Sequence, residues 1–189
     1  RAGLLADQMR LGKAVQSVNA VADNAPVIVA CPATLKGAWK DEFKKWRPEF
    51  KCTILYGRKS FRWPEPGEVV IINYDILVDE LPGKPPRGLH VIGDEATAVK
   101  SNKSQRHKRF EKLCTAALKS NGKAWLLTGT PMMGSPYELW NLLKTADLNN
   151  EAFGHFGKFL YLFNVVQGQF GITYGLPRPE VRDFLRKVM

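Results

Sequence analysis

At 189 residues the chain has the length of one α/β domain with a full core, and its 44% hydrophobic and 24% charged content is that of a globular protein. Lys and Arg number 28 against 18 Asp and Glu, a formal charge of +10, which favours a polyanionic partner or else a lysine-rich solvated surface. Cys31, Cys52 and Cys114 are widely spaced with no CxxC, which argues against a disulfide frame or zinc site, and no apolar run is long enough to span a bilayer. The expectation is reduced, packed cysteines, no secretory leader and no membrane partner.

The chain opens on an apolar strand ending at Ala6. A polar turn follows, and Gly12-Lys13 leads into a helix expected over Ala14 to Ala22. That order suits a phosphate-binding loop, in which backbone N–H groups face an anion and a lysine adds a full charge at the β and γ phosphates. Asp7, Gln8, Met9, Arg10, Leu11, Gly12, Lys13 and Ala14 form the candidate cofactor-binding loop. Val27 to Cys31 reads as a buried strand closed by Pro32. Leu35 to Trp46 carries apolar residues at Leu35, Ala38, Trp39, Phe43 and Trp46, a helical spacing. Strands are expected at Cys52 to Tyr56 and Val69 to Ile72, with a Pro-bearing loop over Ser60 to Glu68. Leu89 to Gly93 is a further strand, ending in Asp94-Glu95. A basic helix is expected from Ser104 to Leu118, a strand at Ala124 to Leu127 and a helix at Pro136 to Thr145. Continuous apolar strands alternating with helices predict a parallel sheet covered on both faces, with ligands outside the strands' carboxyl ends. The stretch from Glu151 to Met189 is glycine-rich and aromatic, with Phe153, Phe156, Phe159, Tyr161, Phe163, Phe170 and Tyr174. It reads as a helical and loop extension (151–189) of the lobe formed by residues 1–150.

Two further segments carry chemistry. Asp94 and Glu95 sit at a strand end, where adjacent carboxylates can point apart, one to a hydrated Mg²⁺ and the other to a water. Asp94 is the candidate metal-side carboxylate and Glu95 the candidate general base; an acidic pair at a helix N-terminus is the alternative, which the Lys13 loop upstream outweighs. Thr128, Gly129 and Thr130 end the strand at Leu127, and the threonine hydroxyls could bond those carboxylates or a water at the γ-phosphate, or simply cap a turn.

Taken in order, these segments resemble motifs I, Ia, Ib, II and III of the Swi/Snf-like family of DNA-dependent ATPases, helicase superfamily two. The resemblance is carried by Cys31-Pro-Ala-Thr-Leu with Trp39 and Glu42-Phe43, by Asn73-Tyr74-Asp75, by Asp94-Glu95-Ala96, and by Leu127-Thr-Gly-Thr-Pro131 followed by Glu138-Leu139-Trp140. The C-terminal Gly175-Leu-Pro-Arg-Pro179 looks most like the annealing-helicase branch. The resemblance implies an α/β fold: a three-layer, RecA-like parallel sheet with helices on both faces, the N-terminal lobe of a two-lobe motor. Implied cofactors are ATP and Mg²⁺, and implied partners are double-stranded DNA and a second RecA-like lobe. Lys13, Asp94 and Glu95 carry over as catalytic residues, with Asp94 on the metal. Thr128, Gly129 and Thr130 carry over as the coupling segment, and Pro32, Thr34, Trp39 and Tyr74 fall in segments bordering the DNA groove. Thr34, Lys36, Asn73 and Tyr74 are the expected DNA-contacting positions, with the basic Lys100 to Arg109 run as a rival surface. For Trp39 a core role is favoured. Location would be cytoplasmic in a prokaryote or virus and nuclear in a eukaryote.

This chain departs from the family pattern at three positions. Ala14 replaces a threonine whose hydroxyl ligates Mg²⁺, Arg10 replaces a glycine, and Thr97 stands where histidine is frequent. Arg10 implies strain if the loop needs a positive φ there, or else an added phosphate contact. The adenine-reading segment and the second lobe, which supplies arginine fingers, are not in this sequence. On its own the chain is therefore expected to hydrolyse ATP barely above background. A non-hydrolysing nucleotide- or DNA-binding module is the alternative.

Overall fold

The computed structural model describes residues 2–168 and 171–186. Six strands form one parallel sheet: β1 (Ala2–Leu5), β2 (Val27–Cys31), β3 (Lys51–Ile54), β4 (Glu68–Asn73), β5 (His90–Gly93) and β6 (Lys123–Leu127), in the order β1-β6-β5-β2-β4-β3. Every residue of β2, β4 and β5 is buried. Their unbroken apolar runs are explained by helices covering both faces.

Alternation along the strands splits the core in two. Val27, Val29, Cys31, Val69, Ile71 and Ile92 face α1 (Lys13–Asn19) and α2 (Lys36–Trp46), meeting Val18, Trp39 and Phe43 there. Ile28, Ala30, Val70, Ile72, Val91 and Leu126 face the other way, toward α3 (Gln105–Lys119) and α4 (Pro136–Thr145), meeting Phe110, Leu113, Leu139 and Leu143. Both long helices of this second layer start on a serine. The Ser104 hydroxyl accepts the His107 N–H, and the Ser135 hydroxyl accepts the Tyr137 N–H with Pro136 opening the helix. The turn from α3 into β6 passes so close to β5 that a Cβ on Gly122 would lie 1.8 Å from the Leu89 carbonyl oxygen, and only glycine fits.

The C-terminal stretch differs from the helix-and-loop expectation. After α5 (Asn149–Phe153) and α6 (Phe156–Leu162), a two-stranded antiparallel hairpin forms from β7 (Val165–Gly168) and β8 (Gly171–Tyr174), and α7 (Val181–Leu185) follows. The β-branched Val165-Val166 and Ile172-Thr173 favour extended backbone over helix. Phe153, Phe159 and Phe163 are fully buried in the α3/α4-side core, in edge and tilted ring contacts of 4.7–6.1 Å. Phe170 lies outside the described residues, as do residues 187–189.

Candidate nucleotide site

The carboxyl ends of β1, β6 and β5 lie side by side, with Leu5 paired to Leu127 and Leu126 to Gly93. Strand neighbours sit about 4.8 Å apart, so three separate segments of sequence reach one edge.

The first is the loop from Ala6 to Gly12. Gly12 is left-handed at φ 77°, and Lys13 opens α1. The Lys13 ammonium turns back into the loop and donates to the carbonyl oxygens of Asp7 (2.8 Å) and Gln8 (3.0 Å). Gln16 ties the loop from α1, its amide donating to the Leu11 carbonyl (3.1 Å) and the Asp7 carboxylate (3.3 Å). Gln8, Met9, Arg10, Leu11 and Gly12 are exposed, whereas Ala14 packs against the α1/α2-side core. Arg10 adopts φ 70°. The backbone thus needs the left-handed conformation that glycine takes freely, and arginine carries it at a cost of about 1–2 kcal/mol.

The second segment follows β5. Asp94 is anchored on its backbone and on both carboxylate oxygens. Its N–H donates to the Ala30 carbonyl (2.8 Å), and its own carbonyl accepts the Tyr74 hydroxyl (2.8 Å). Oδ1 accepts the Glu95 N–H (2.9 Å), and Oδ2 accepts the Trp39 indole N–H (2.8 Å). Glu95 is left-handed at φ 47°, ψ 52°, so Asp94 and Glu95 leave the strand on different courses before the short 3₁₀ turn Ala96–Val99. The pair stands at the start of this 3₁₀ turn, with Glu95 at its N-cap, and no α-helix begins there. Thr97 is half-buried within that turn.

The third segment follows β6. Thr128 is fully buried and its N–H donates to the Leu5 carbonyl (3.0 Å), while its hydroxyl accepts the Thr130 N–H (3.0 Å). That hydroxyl therefore caps its own turn, the plainer of the roles its position allows. Gly129 instead abuts the first loop, where a Cβ would stand 3.1 Å from Met9 Cγ. Farther on, Glu138 accepts the N–H groups of Met133 (3.0 Å) and Gly134 (3.2 Å) and pairs with Lys100 (2.9 Å). The Lys100 ammonium leads in holding the Glu138 carboxyl below its usual range.

Of the four positions expected to meet DNA, Thr34 alone is exposed. Lys36 is a correction. Its ammonium is buried, donates to the Leu55 carbonyl (2.7 Å) and sits over the Tyr56 ring, and burial lowers its pKa. Asn73 and Tyr74 are also buried, Tyr74 with its hydroxyl on Asp94 and its ring edge-on to Phe110 (5.2 Å). These three side chains are not displayed to a duplex. In the Lys100 to Arg109 run, Arg106 pairs with Asp75 and Arg109 with Asp79, while Lys103 and Lys108 are exposed.

Sequence reasoning missed the role of Trp39. It sits 2% exposed in the core, as its helical spacing indicates, but its polar edge reaches Asp94, 55 positions away. No spacing rule signals that bond.

The fold aligns with the SWI2/SNF2 ATPase core of Sulfolobus solfataricus, solved in complex with dsDNA, at a TM-score of 0.61 and 21% identity over 85% of this chain and 34% of that one. The sheet and its flanking helices are thus those of a RecA-like α/β lobe. The sequence pattern of the SNF2-related domain matches residues 1–169. Helicase domino of Drosophila melanogaster is 33% identical, with the match covering 75% of this chain and 5% of that protein. The chromatin-remodeling ATPase INO80 of Candida albicans is 35% identical (75% and 11%), and helicase SWR1 of Saccharomyces cerevisiae 32% (75% and 10%). The chain belongs to the SNF2 family of helicase-related ATPases, and it spans about a tenth or less of these relatives. The finer assignment to the annealing-helicase branch is not carried by these matches.

The residues at the edge fit ATP and Mg²⁺. The exposed loop and its lysine can exchange two carbonyl partners for phosphate oxygens. Asp94 is half-buried and offers carboxylate oxygens at this edge. Such a site suits a cation carried mostly by phosphates and water, as Mg²⁺ is.

Proposed function

We propose that this chain is the N-terminal ATP-binding lobe of a DNA-dependent ATPase that couples ATP hydrolysis to translocation on duplex DNA. The observation supporting it is the meeting of the Lys13 loop, Asp94-Glu95 and Thr128-Gly129-Thr130 at the carboxyl ends of β1, β5 and β6. Bound ATP with Mg²⁺ supplies a phosphoryl group whose transfer to water releases the driving free energy. Lys13 neutralises the β and γ phosphates after letting go of the Asp7 and Gln8 carbonyls. Asp94 takes the metal side, and Glu95 orients the attacking water and accepts its proton. Gly129, which leaves no room for a side chain beside Met9, brings the third segment close to the phosphate loop. The second lobe supplies the remaining charge and closes the site, so this chain alone turns over barely above background.

Duplex DNA meets this lobe through phosphates, at the exposed Thr34 turn and the lysines Lys103 and Lys108. Binding is weak, insensitive to sequence and steeply salt-dependent, with a log–log slope of about −0.9 per phosphate neutralised. The named relatives, a chromatin-remodeling ATPase and helicases, support a nuclear setting. Ala14 favours a second reading, a nucleotide-binding lobe that does not hydrolyse, because one Mg²⁺-ligating hydroxyl is gone.

Calorimetry with ATP·Mg²⁺ on the wild type and Lys13→Ala tests the site. The variant is expected to bind at least about tenfold more weakly, the loss of one charge-assisted contact of about 1.5–3 kcal/mol. Equal affinity would remove Lys13 from the site. Joining the chain to a second lobe and finding binding with no DNA-stimulated turnover would select the non-hydrolysing reading.

A further inference from the structure

We propose that Trp39 is a positioning residue for Asp94, setting the carboxylate in the orientation that receives the nucleotide-borne Mg²⁺. This rests on the nucleotide reading above and names a group that reading does not require.

The geometry is specific. Trp39 lies on α2, with 2% of its surface exposed and its ring tilted against Phe43 at 6.4 Å. Its body is therefore held by packing, and only its N–H edge reaches polar ground. That N–H is 2.8 Å from Asp94 Oδ2, while the Glu95 N–H is 2.9 Å from Oδ1. Two donors on opposite oxygens fix the plane of the carboxylate. A carboxylate offers about four lone-pair sites, so about two remain open. A donor to an anion is roughly twice as strong as one to a neutral acceptor, which makes the indole a firm stop against rotation about the Asp94 side chain.

The sequence makes this stop more consequential. With alanine at position 14, the loop lysine's neighbour brings no oxygen to the metal. Asp94 is then the protein's main ligand on that side, and a wandering carboxylate has no hydroxyl beside it to compensate. The rest of the residue is already immobile, tied through its N–H to Ala30 and through its carbonyl to Tyr74. The side-chain torsions are its remaining freedom, and the Trp39 bond restrains them.

A purely structural tryptophan would serve equally well without its N–H, and the test exploits that. Position 39 is replaced by 3-benzothienylalanine, which keeps the bicyclic shape with sulfur in place of N–H, and separately as Trp39→Phe. Binding of a fluorescent ATP analogue is titrated against Mg²⁺, and again in excess EDTA, with thermal melting recorded for each protein. The benzothienyl protein is expected to need about five- to tenfold more Mg²⁺ for half-maximal binding. Its affinity in EDTA should match the wild type, and it should melt as a folded protein. Trp39→Phe should show the same Mg²⁺ shift with a larger fall in melting temperature. A wild-type Mg²⁺ midpoint in the benzothienyl protein would overturn the proposal while leaving the nucleotide site standing. So would an equal loss of affinity with and without metal. Failure of the wild type to bind the analogue at any Mg²⁺ concentration would overturn the nucleotide reading and this inference with it.

Discussion

Replacing Gly93 by alanine probes the link between the core and the candidate site. Gly93 is the last residue of β5 and precedes Asp94. A Cβ there would stand 2.4 Å from Phe110 Cζ, 2.9 Å from Phe110 Cε1 and 3.1 Å from the Tyr74 hydroxyl. Phe110 is fully buried and cannot retreat without moving α3, and overpacking of this kind costs about 1–3 kcal/mol. The Tyr74 hydroxyl must also shift from the Asp94 carbonyl, at about 1 kcal/mol for the lost hydrogen bond. Together these give about 3 kcal/mol, or roughly 6–12 °C in melting temperature at about 2–4 °C per kcal/mol for a chain of this size. Phe110→Leu shortens the side chain the new methyl strikes. In a double-mutant cycle by urea unfolding, the two substitutions should therefore couple by at least about 1 kcal/mol in the favourable direction. Additive effects, or a Gly93→Ala loss below about 0.5 kcal/mol, would show that β5 and α3 are not held at this spacing.

Arg10→Gly should raise stability by about 0.5–1 kcal/mol, because the left-handed penalty of about 1–2 kcal/mol exceeds glycine's entropic cost; a fall in melting temperature would contradict that backbone geometry. Ala14→Thr should lower the Mg²⁺ needed for nucleotide binding several-fold by restoring a hydroxyl ligand, read in the same metal titration, and an unchanged midpoint would place position 14 away from the metal. His90 predicts an acid limb. Burial, with help from the Lys123 charge, pushes its pKa from 6.5 to about 4, so the unfolded chain binds the proton more readily between those values. Stability is then full above pH 6.5 and falls toward pH 4, by on the order of 3 kcal/mol at most. Urea midpoints for His90→Leu should be flatter across that window. The carboxylate of Glu68, held down to about 2 by Arg62, acts lower, between pH 4.5 and 2.

Much of this architecture was legible because its signals are local. Val27–Cys31 and Pro136–Thr145 fall where an apolar run closed by Pro32 and the helical spacing of Leu139, Trp140 and Leu143 put them. For Arg10 at a glycine position the sequence left strain or a phosphate contact open, and the φ of 70° shows the left-handed backbone that the first required. The hairpin at β7 and β8 was hidden because a glycine-rich, aromatic composition carries no strand period, while short β-branched pairs decided the backbone. Lys36 misled because a long stem can bury while its ammonium finds a carbonyl, here 19 residues away at Leu55. The shared edge of the candidate site follows from strand order, but the bonds that brace Asp94 join α2, β2 and the segment after β4, and sequence spacing carries no trace of them.

Among the described residues β1 has one neighbour in the sheet, β6, and is four residues long. Its partner lies about 120 positions along the chain, so local propensity does nothing to keep the two together. The phosphate loop hangs from this strand, and peeling β1 from the edge would take the loop with it. A ligand gripping the loop would therefore act as a clasp for the sheet margin. The Leu5 amide, on the residue that faces β6, should exchange with solvent by partial opening in the free lobe, and slow markedly once nucleotide is bound. On the nucleotide reading proposed above, occupancy of the site and integrity of this margin are one equilibrium, read in the firmness of the first strand.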